Sequence, residues 1–242
     1  MRRIWLVGWL SLGLAASVAA AEKPKGDTDR WYLGKQRGKN IGYFHITRSQ
    51  SGKKLAPVKF AYEFAAKWRD KIVSCKVELL CKDDLYFSPV RITCEGKGDD
   101  EFKNFAATVD WLKTDMGKVG TLRALVDGRW RTRTLPEGTV DQFLLFDIVC
   151  RQPFDKNTTF GFHPLETHEL NAKRDNTLHY VGVEEINVGK KAVKTHRFDQ
   201  RARNRTRIKY WVTEKRDLAR VLIDDEKDFI LTTEAEAKKA LK

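Results

Sequence analysis

From Trp31 to Thr134, and again from residue 177 to 232, apolar and polar residues alternate in short runs separated by turn residues. Successive side chains of a strand point to opposite faces, so this period of two marks strands with one buried side. The first series reads as Trp31–Leu33, Ile41–Arg48, Leu55 to about Trp68, 71–81, 86–95, Phe102–Trp111, Val119–Val126 and Arg129–Thr134. Asp127-Gly128 between the last two is a strong hairpin signal, because both residues accept the positive φ of a tight turn. The second series reads as 177–187, 191–199, 203–213, 217–224 and 228–232.

Two stretches break the alternation. Thr139 to Cys150 (TVDQFLLFDIVC) is apolar around most of a helical circumference. Thr139 and Gln142 form a capping box there, and Pro153 provides a stop. Thr233 and Glu236 make a second box, opening a short helix to Leu241. No linker, repeat or low-complexity segment divides residues 31–242. The expectation is a mainly β single domain: one large curved antiparallel sheet, an open or unclosed barrel, with one covering helix and a short C-terminal helix.

The N-terminus carries a different signal. Met1-Arg2-Arg3 precedes the uncharged run Ile4–Ala21, which ends in Val18-Ala19-Ala20-Ala21. A basic start, an apolar stretch and a small-residue exit describe a secretory leader spanning 1–21, with the mature chain starting near Glu22. An uncleaved anchor is the alternative, since 18 residues stand at the lower edge of a membrane span. Residues 22–30 are polar and read as a flexible segment. No later run is long enough to cross a bilayer, so the expected location is periplasmic or secreted. The formal net charge is +13, or +11 once Arg2 and Arg3 are removed. Such an excess attracts anions, which outside the cytosol means lipid headgroups and envelope polymers rather than genomic nucleic acid.

Four cysteines, Cys75, Cys81, Cys94 and Cys150, lie beyond the leader at irregular spacings unlike those of a zinc site. An oxidising compartment favours disulfides, and four cysteines allow three connectivities. With Asp84 and Leu85 at a hairpin tip, Cys75 stands opposite Cys94 at a distance a disulfide can close, leaving Cys81 for Cys150. A slip of one residue removes that pairing, and four buried free thiols are the alternative.

The opening W-Y-L-G-x-x-x-G-x-x-I-G-Y (Trp31–Tyr43) resembles a β-rich bacterial envelope domain family of unknown function, sometimes found ahead of transglutaminase-like domains. Further short likenesses are Leu85–Ile92 with Ser88-Pro89-Val90, Val183-Glu184 with the turn Gly189-Lys190-Lys191, and Tyr210-Trp211-Val212 before Leu218. The resemblance implies a fold similar to the half-barrels of periplasmic lipoprotein carriers, with a concave apolar face under a helix.

Two constellations could carry function. Phe143, Leu144 and Phe146 of the apolar segment, with Trp111 and Trp130 of neighbouring strands, could line a pocket for a lipid or amphiphile, or could simply fill the core. Arg201, Arg203, Arg205, Arg207 and Lys209 alternate, and in one strand would form a cationic stripe spanning about 27 Å. Arg129, Arg131 and Arg133 repeat the pattern on a shorter strand. Such a stripe would dock an anionic envelope polymer or membrane surface, or would be a solvated face protected from edge pairing. Aromatic residues do not interleave with it in a stacking rhythm, which speaks against nucleic acid.

Catalysis has little footing. Ser49, Ser51, Ser74 and Ser88 lack a nucleophile-elbow motif, and His45, His163, His168, His179 and His196 are dispersed. Asp99-Asp100-Glu101 reads as a turn cluster, and no phosphate loop or dinucleotide fingerprint occurs. The expectation is a non-enzymatic binding protein without metal or cofactor, and an adaptor module is the alternative.

Overall fold

The computed structural model describes residues 27–68, 71–98, 104–115, 117–167, 169–189, 191–203 and 205–241. The expected leader lies outside the described residues, as do Asp99, Asp100, Glu101 and His168. Consecutive hairpins build the first half from β1 (Thr28–Gln36), β2 (Lys39–Lys53), β3 (Ala56–Trp68), β4 (Lys71–Cys81) and β5 (Pro89–Lys97). They continue through β6 (Phe105–Thr114), β7 (Gly117–Val126) and β8 (Arg129–Pro136). The second half supplies β9 (Thr139–Asp141), β10 (Thr159–Glu166), β11 (Asn171–Ala172) and β12 (Asn176–Val188). A last meander adds β13 (Lys191–Ala202), β14 (Arg205–Thr213), β15 (Leu218–Ile223) and β16 (Lys227–Thr232).

All of these strands join one sheet ordered β11-β10-β12-β13-β14-β15-β16-β1-β2-β3-β4-β5-β6-β7-β8. The two halves meet where β16 pairs with β1, Trp31 opposite Thr232. The sheet curls almost into a barrel whose seam, between β8 and β11, stays unsealed. The three-residue β9 lies parallel to β10, Thr139 opposite His163. Turn chemistry follows the sequence: Arg37-Gly38 and Asp127-Gly128 both have positive φ at each residue, as two-residue hairpins require. At Gly42 the wall is too tight for any side chain, since a Cβ there would run into the carbonyl of Ala65 on β3.

β1 begins at Thr28, so the segment expected to be flexible already enters the sheet before Trp31. The segment 139–150 is not one helix. Thr139–Asp141 is taken up by pairing with β10, and only Leu145–Ile148 (α1) is α-helical, followed by a 3-10 turn over Val149–Arg151. Thr139 does not cap; its hydroxyl donates to the Pro136 carbonyl at 2.7 Å. Asp141 holds the turn instead, accepting from the Phe143 amide at 2.9 Å. Gln152 is extended, as a residue preceding proline prefers, and the helical path ends there. The segment is apolar all round because it runs inside the barrel. Leu144, Leu145, Phe146, Ile148, Val149 and Cys150 are all buried.

The C-terminal helix α2 (Glu234–Lys239) starts at Thr233, whose hydroxyl accepts from the Glu236 amide at 3.3 Å. It packs on the outer face of β1 and β2, where Ala237 is buried with Tyr43 and Ala65 beside Trp31.

The β4–β5 hairpin is offset by two residues from the expected register. Asp84 accepts from the amides of Tyr86 and Ser88, which widens the tip. Cys75 therefore faces Gly96, and Cys94 faces Val77. An even offset keeps both cysteines on the inner face. They are diagonal neighbours with sulfurs 3.4 Å apart, a non-bonded contact rather than a disulfide. The pairing of Cys81 with Cys150 is not formed either; both are buried free thiols, and Cys150 donates to the Phe146 carbonyl at 3.3 Å.

The cationic stripe is divided by a turn. Arg201 belongs to β13, Arg203 has φ of 49°, and a bulge at Arg207 turns Arg205, opposite Ala202, to the other face, so only Arg207 and Lys209 stay together on β14. Strand alternation survives a short turn in the sequence pattern, and the turn was therefore hidden within it.

Candidate functional site

Every second residue of the curled sheet points into the lumen. Phe44 on β2 faces Phe64 on β3, Phe64 faces Cys75 on β4, and Tyr62 faces Val77. From the other half, Tyr210 faces Val221, and Ile223 faces Lys227. The inner segment between β9 and β10 fills much of the lumen but not all of it. It leaves a cavity of about 580 Å³.

Phe143 and Phe146 form the cavity floor. Phe143 stacks on Phe44 at 5.0 Å between centroids and meets Tyr62 at 4.9 Å. Phe146 meets Phe44 edge-on at 4.9 Å and Phe229 at 6.4 Å. The walls add Ile41, Phe64, Ile208, Tyr210 and Ile223. Gln36, Lys67, Gln142, Thr167 and Lys227 supply the polar part of the lining. Gln36 and Lys227 are cross-strand partners at the ends of β1 and β16, and Lys67 stands near the end of β3, so these polar groups rim one end of the barrel.

Two carboxylates anchor the floor. Asp141 is buried; Tyr62 donates to its Oδ2 at 3.0 Å, and Thr167 donates to the same oxygen. Burial pushes the Asp141 carboxyl up to about 6, against the lowering pull of these hydrogen bonds and of the Phe143 amide. Deeper in the lumen, Asp147 of α1 accepts from Arg48 of β2 at 2.9 and 2.8 Å and from Arg151 at 2.9 Å, with Arg30 at 3.7 Å. These bonds fix the inner segment to the wall, so the cavity is pre-formed.

Of the aromatic residues expected to line a pocket, Phe143 and Phe146 do so. Leu144 points the other way and is fully buried in the core. Trp111 lies over Gly120 on the adjacent strand, where its Nε1 donates to the Pro89 carbonyl at 2.8 Å. Trp130 is 73% exposed on the outer face of β8, opposite Leu125. Sequence reading missed Phe44, Tyr62, Phe64, Ile208, Tyr210 and Phe229, which were visible only as members of alternating strands. Asp141 and Asp147 did carry a signal, as carboxylates inside an otherwise apolar run.

The stripe residues are scattered over both faces of the sheet's end. Arg207 bonds Asp224 at 3.0 Å and Lys209 bonds Asp225 at 2.6 Å, both across the β14–β15 side. The described histidines lie apart. His45 stacks on Trp31 and bonds Asp29, His163 meets Asp175, His179 bonds Thr177, and His196 bonds Tyr180 against Phe154.

An apolar, aromatic cup with a few polar groups at its rim is the chemistry of a small-molecule binding site. Compared with protein-family models, curated proteins and solved structures, the chain matches none.

Proposed function

We propose that this is a non-enzymatic binding protein of the bacterial cell envelope that holds an apolar or amphiphilic ligand inside its barrel. The cavity of about 580 Å³ with a floor of Phe143 and Phe146 carries the reading. Its volume falls within the range of ligand pockets, and its lining is predominantly apolar. The leader-like N-terminus and the resemblance of Trp31–Tyr43 to an envelope domain family support a periplasmic or secreted location. Docking to an anionic polymer through the Arg201–Lys209 stripe is less favoured. The stripe is split by a turn, and Arg207 and Lys209 are engaged by Asp224 and Asp225.

Native mass spectrometry of the protein purified from an envelope fraction tests the proposal. A co-purifying mass of lipid size, lost on denaturation and absent from an Ile208→Trp/Ile223→Trp variant that narrows the cavity, is the expected result. A bare polypeptide that also fails to take up an apolar fluorescent dye overturns it.

A further inference from the structure

The cup's polar residues are not neutral in balance. Its lining includes two lysines, Lys67 and Lys227, and no carboxylate. Both lysines are exposed, and neither makes an ion pair among the described residues. The acid beside Lys227 in sequence, Glu226, is bonded to Arg37 at 2.8 Å, and Asp228 is held by Arg220 at 2.8 and 2.9 Å. Lys227 stands in the inner row with Phe229, and Lys67, in the alternate row with Ala65, borders the opening at the end of β3.

Resting on the reading of the cavity as a ligand cup, we propose that it takes single-chain amphiphiles with an anionic head. The chain lies on Phe143, Phe146, Phe44 and Phe229, and the head sits at the rim beside Lys227, with Lys67 at the outer edge of the same opening. The geometry is consistent on both counts. At about 30 Å³ per water-sized group, the space takes on the order of a dozen or more methylene units, one acyl chain of ordinary length. A lysine presents a mobile point charge on a flexible stem, which suits a head group held at a wet rim rather than a planar, bidentate contact. A cationic head at the same place would meet two like charges, and a neutral head would gain nothing from them. The rim thus sets the sign of the ligand, while the floor and walls set its length.

Three probes sharing one chain separate the charge inference from the reading beneath it: laurate, lauryl alcohol and lauryltrimethylammonium. They are titrated into the ligand-stripped, folded protein below their micelle concentrations. Laurate is expected to bind about tenfold more tightly than the alcohol, which corresponds to about 1.4 kcal/mol. The ammonium probe is expected to bind more weakly than either, and the differences should shrink as salt is raised. In a Lys67→Gln/Lys227→Gln variant laurate loses its advantage over the alcohol, whereas exchange of the remote, exposed Lys113 for Gln preserves it. If the three probes bind equally, or the double variant keeps the preference, the charge inference is overturned and the cup remains. If none binds, the cup itself is overturned, and the inference falls with it.

Discussion

Arg48 donates to both carboxylate oxygens of Asp147, at 2.9 and 2.8 Å, and so joins the wall strand β2 to the single turn of α1 across the lumen. Both side chains are almost wholly buried, and Arg151 donates to the same carboxylate from one turn further along. The arrangement places one acid among three guanidinium groups, with Arg30 the third, so its two kinds of member are not equivalent. Asp147→Ala removes the carboxylate on which all of them converge. A loss of about 3–5 kcal/mol is expected, as for breaking other buried ion pairs. Arg48→Met leaves Arg151 and Arg30 to balance Asp147 and is expected to cost less. Urea denaturation of the two variants, compared at constant slope, checks the order; equal losses would mean that Arg48 alone carries the cluster.

Asp141 makes the floor sensitive to pH. Its carboxyl is pushed up to about 6 by burial, against an ordinary 3.8. The native state therefore holds this proton more tightly than the unfolded chain does. The stabilisation is complete below about pH 4 and is lost as pH rises through about 6. Relative to Asp141→Asn, the wild type should lose roughly 2 kcal/mol of stability between pH 4 and pH 7. Parallel stability profiles for the two proteins would show that Asp141 does not titrate in this window.

The sheet was legible because its information is local. A period of two and dipeptides such as Asp127-Gly128 each specify a strand or turn without reference to the rest of the chain, and Thr233 announces α2 in the same way. What escaped the sequence is set by distant partners. Residues 139–150 are apolar on every side, a pattern that fits a buried helix, yet here they are enclosed by barrel wall and only the second half of the segment is helical. The two-residue offset of the β4–β5 hairpin depends on how Asp84 binds amides in the tip, and parity alone cannot detect an even shift. Phe143 and Phe146 could be found because they lie in a conspicuous run. Phe44, Tyr62 and Phe229 could not, because only the position of the inner segment decides which part of an inner row is left uncovered.

Cys75 and Cys94 are distinguished from the other two cysteines by reach. Their sulfurs are 3.4 Å apart on the inner face, whereas burial pushes the Cys81 thiol well up and Cys150 up to about 12. Mild oxidation of the folded, reduced protein should therefore form one disulfide, Cys75–Cys94, and lower the mass by two hydrogens, since only a small shift brings these atoms to bonding distance. Peptide mapping should show Cys81 and Cys150 still as thiols. A Cys75→Ser variant that still loses two hydrogens would mean that a different pair is oxidised.

Arg129, Arg131 and Arg133 lie opposite Val126, Ala124 and Leu122 and so share their inner face, yet all three are exposed. They line the part of β8 that no further strand covers, and none of them makes an ion pair among the described residues. Trp130 and Leu125 form an apolar pair on the opposite face, so this edge would be a template for self-pairing if it were neutral. Antiparallel pairing of two such edges would set arginine against arginine, and that repulsion keeps copies apart. Replacing all three arginines with threonine, a good strand former, is expected to give dimers or larger species in sedimentation at concentrations where the wild type remains a monomer. Replacing them with glutamate should again prevent self-association. An equal mixture of the glutamate variant and the wild type should instead form a mixed dimer that dissociates as salt is raised. A mixture that sediments as two independent monomers would mean that the β8 edge is closed to partners by shape rather than by charge.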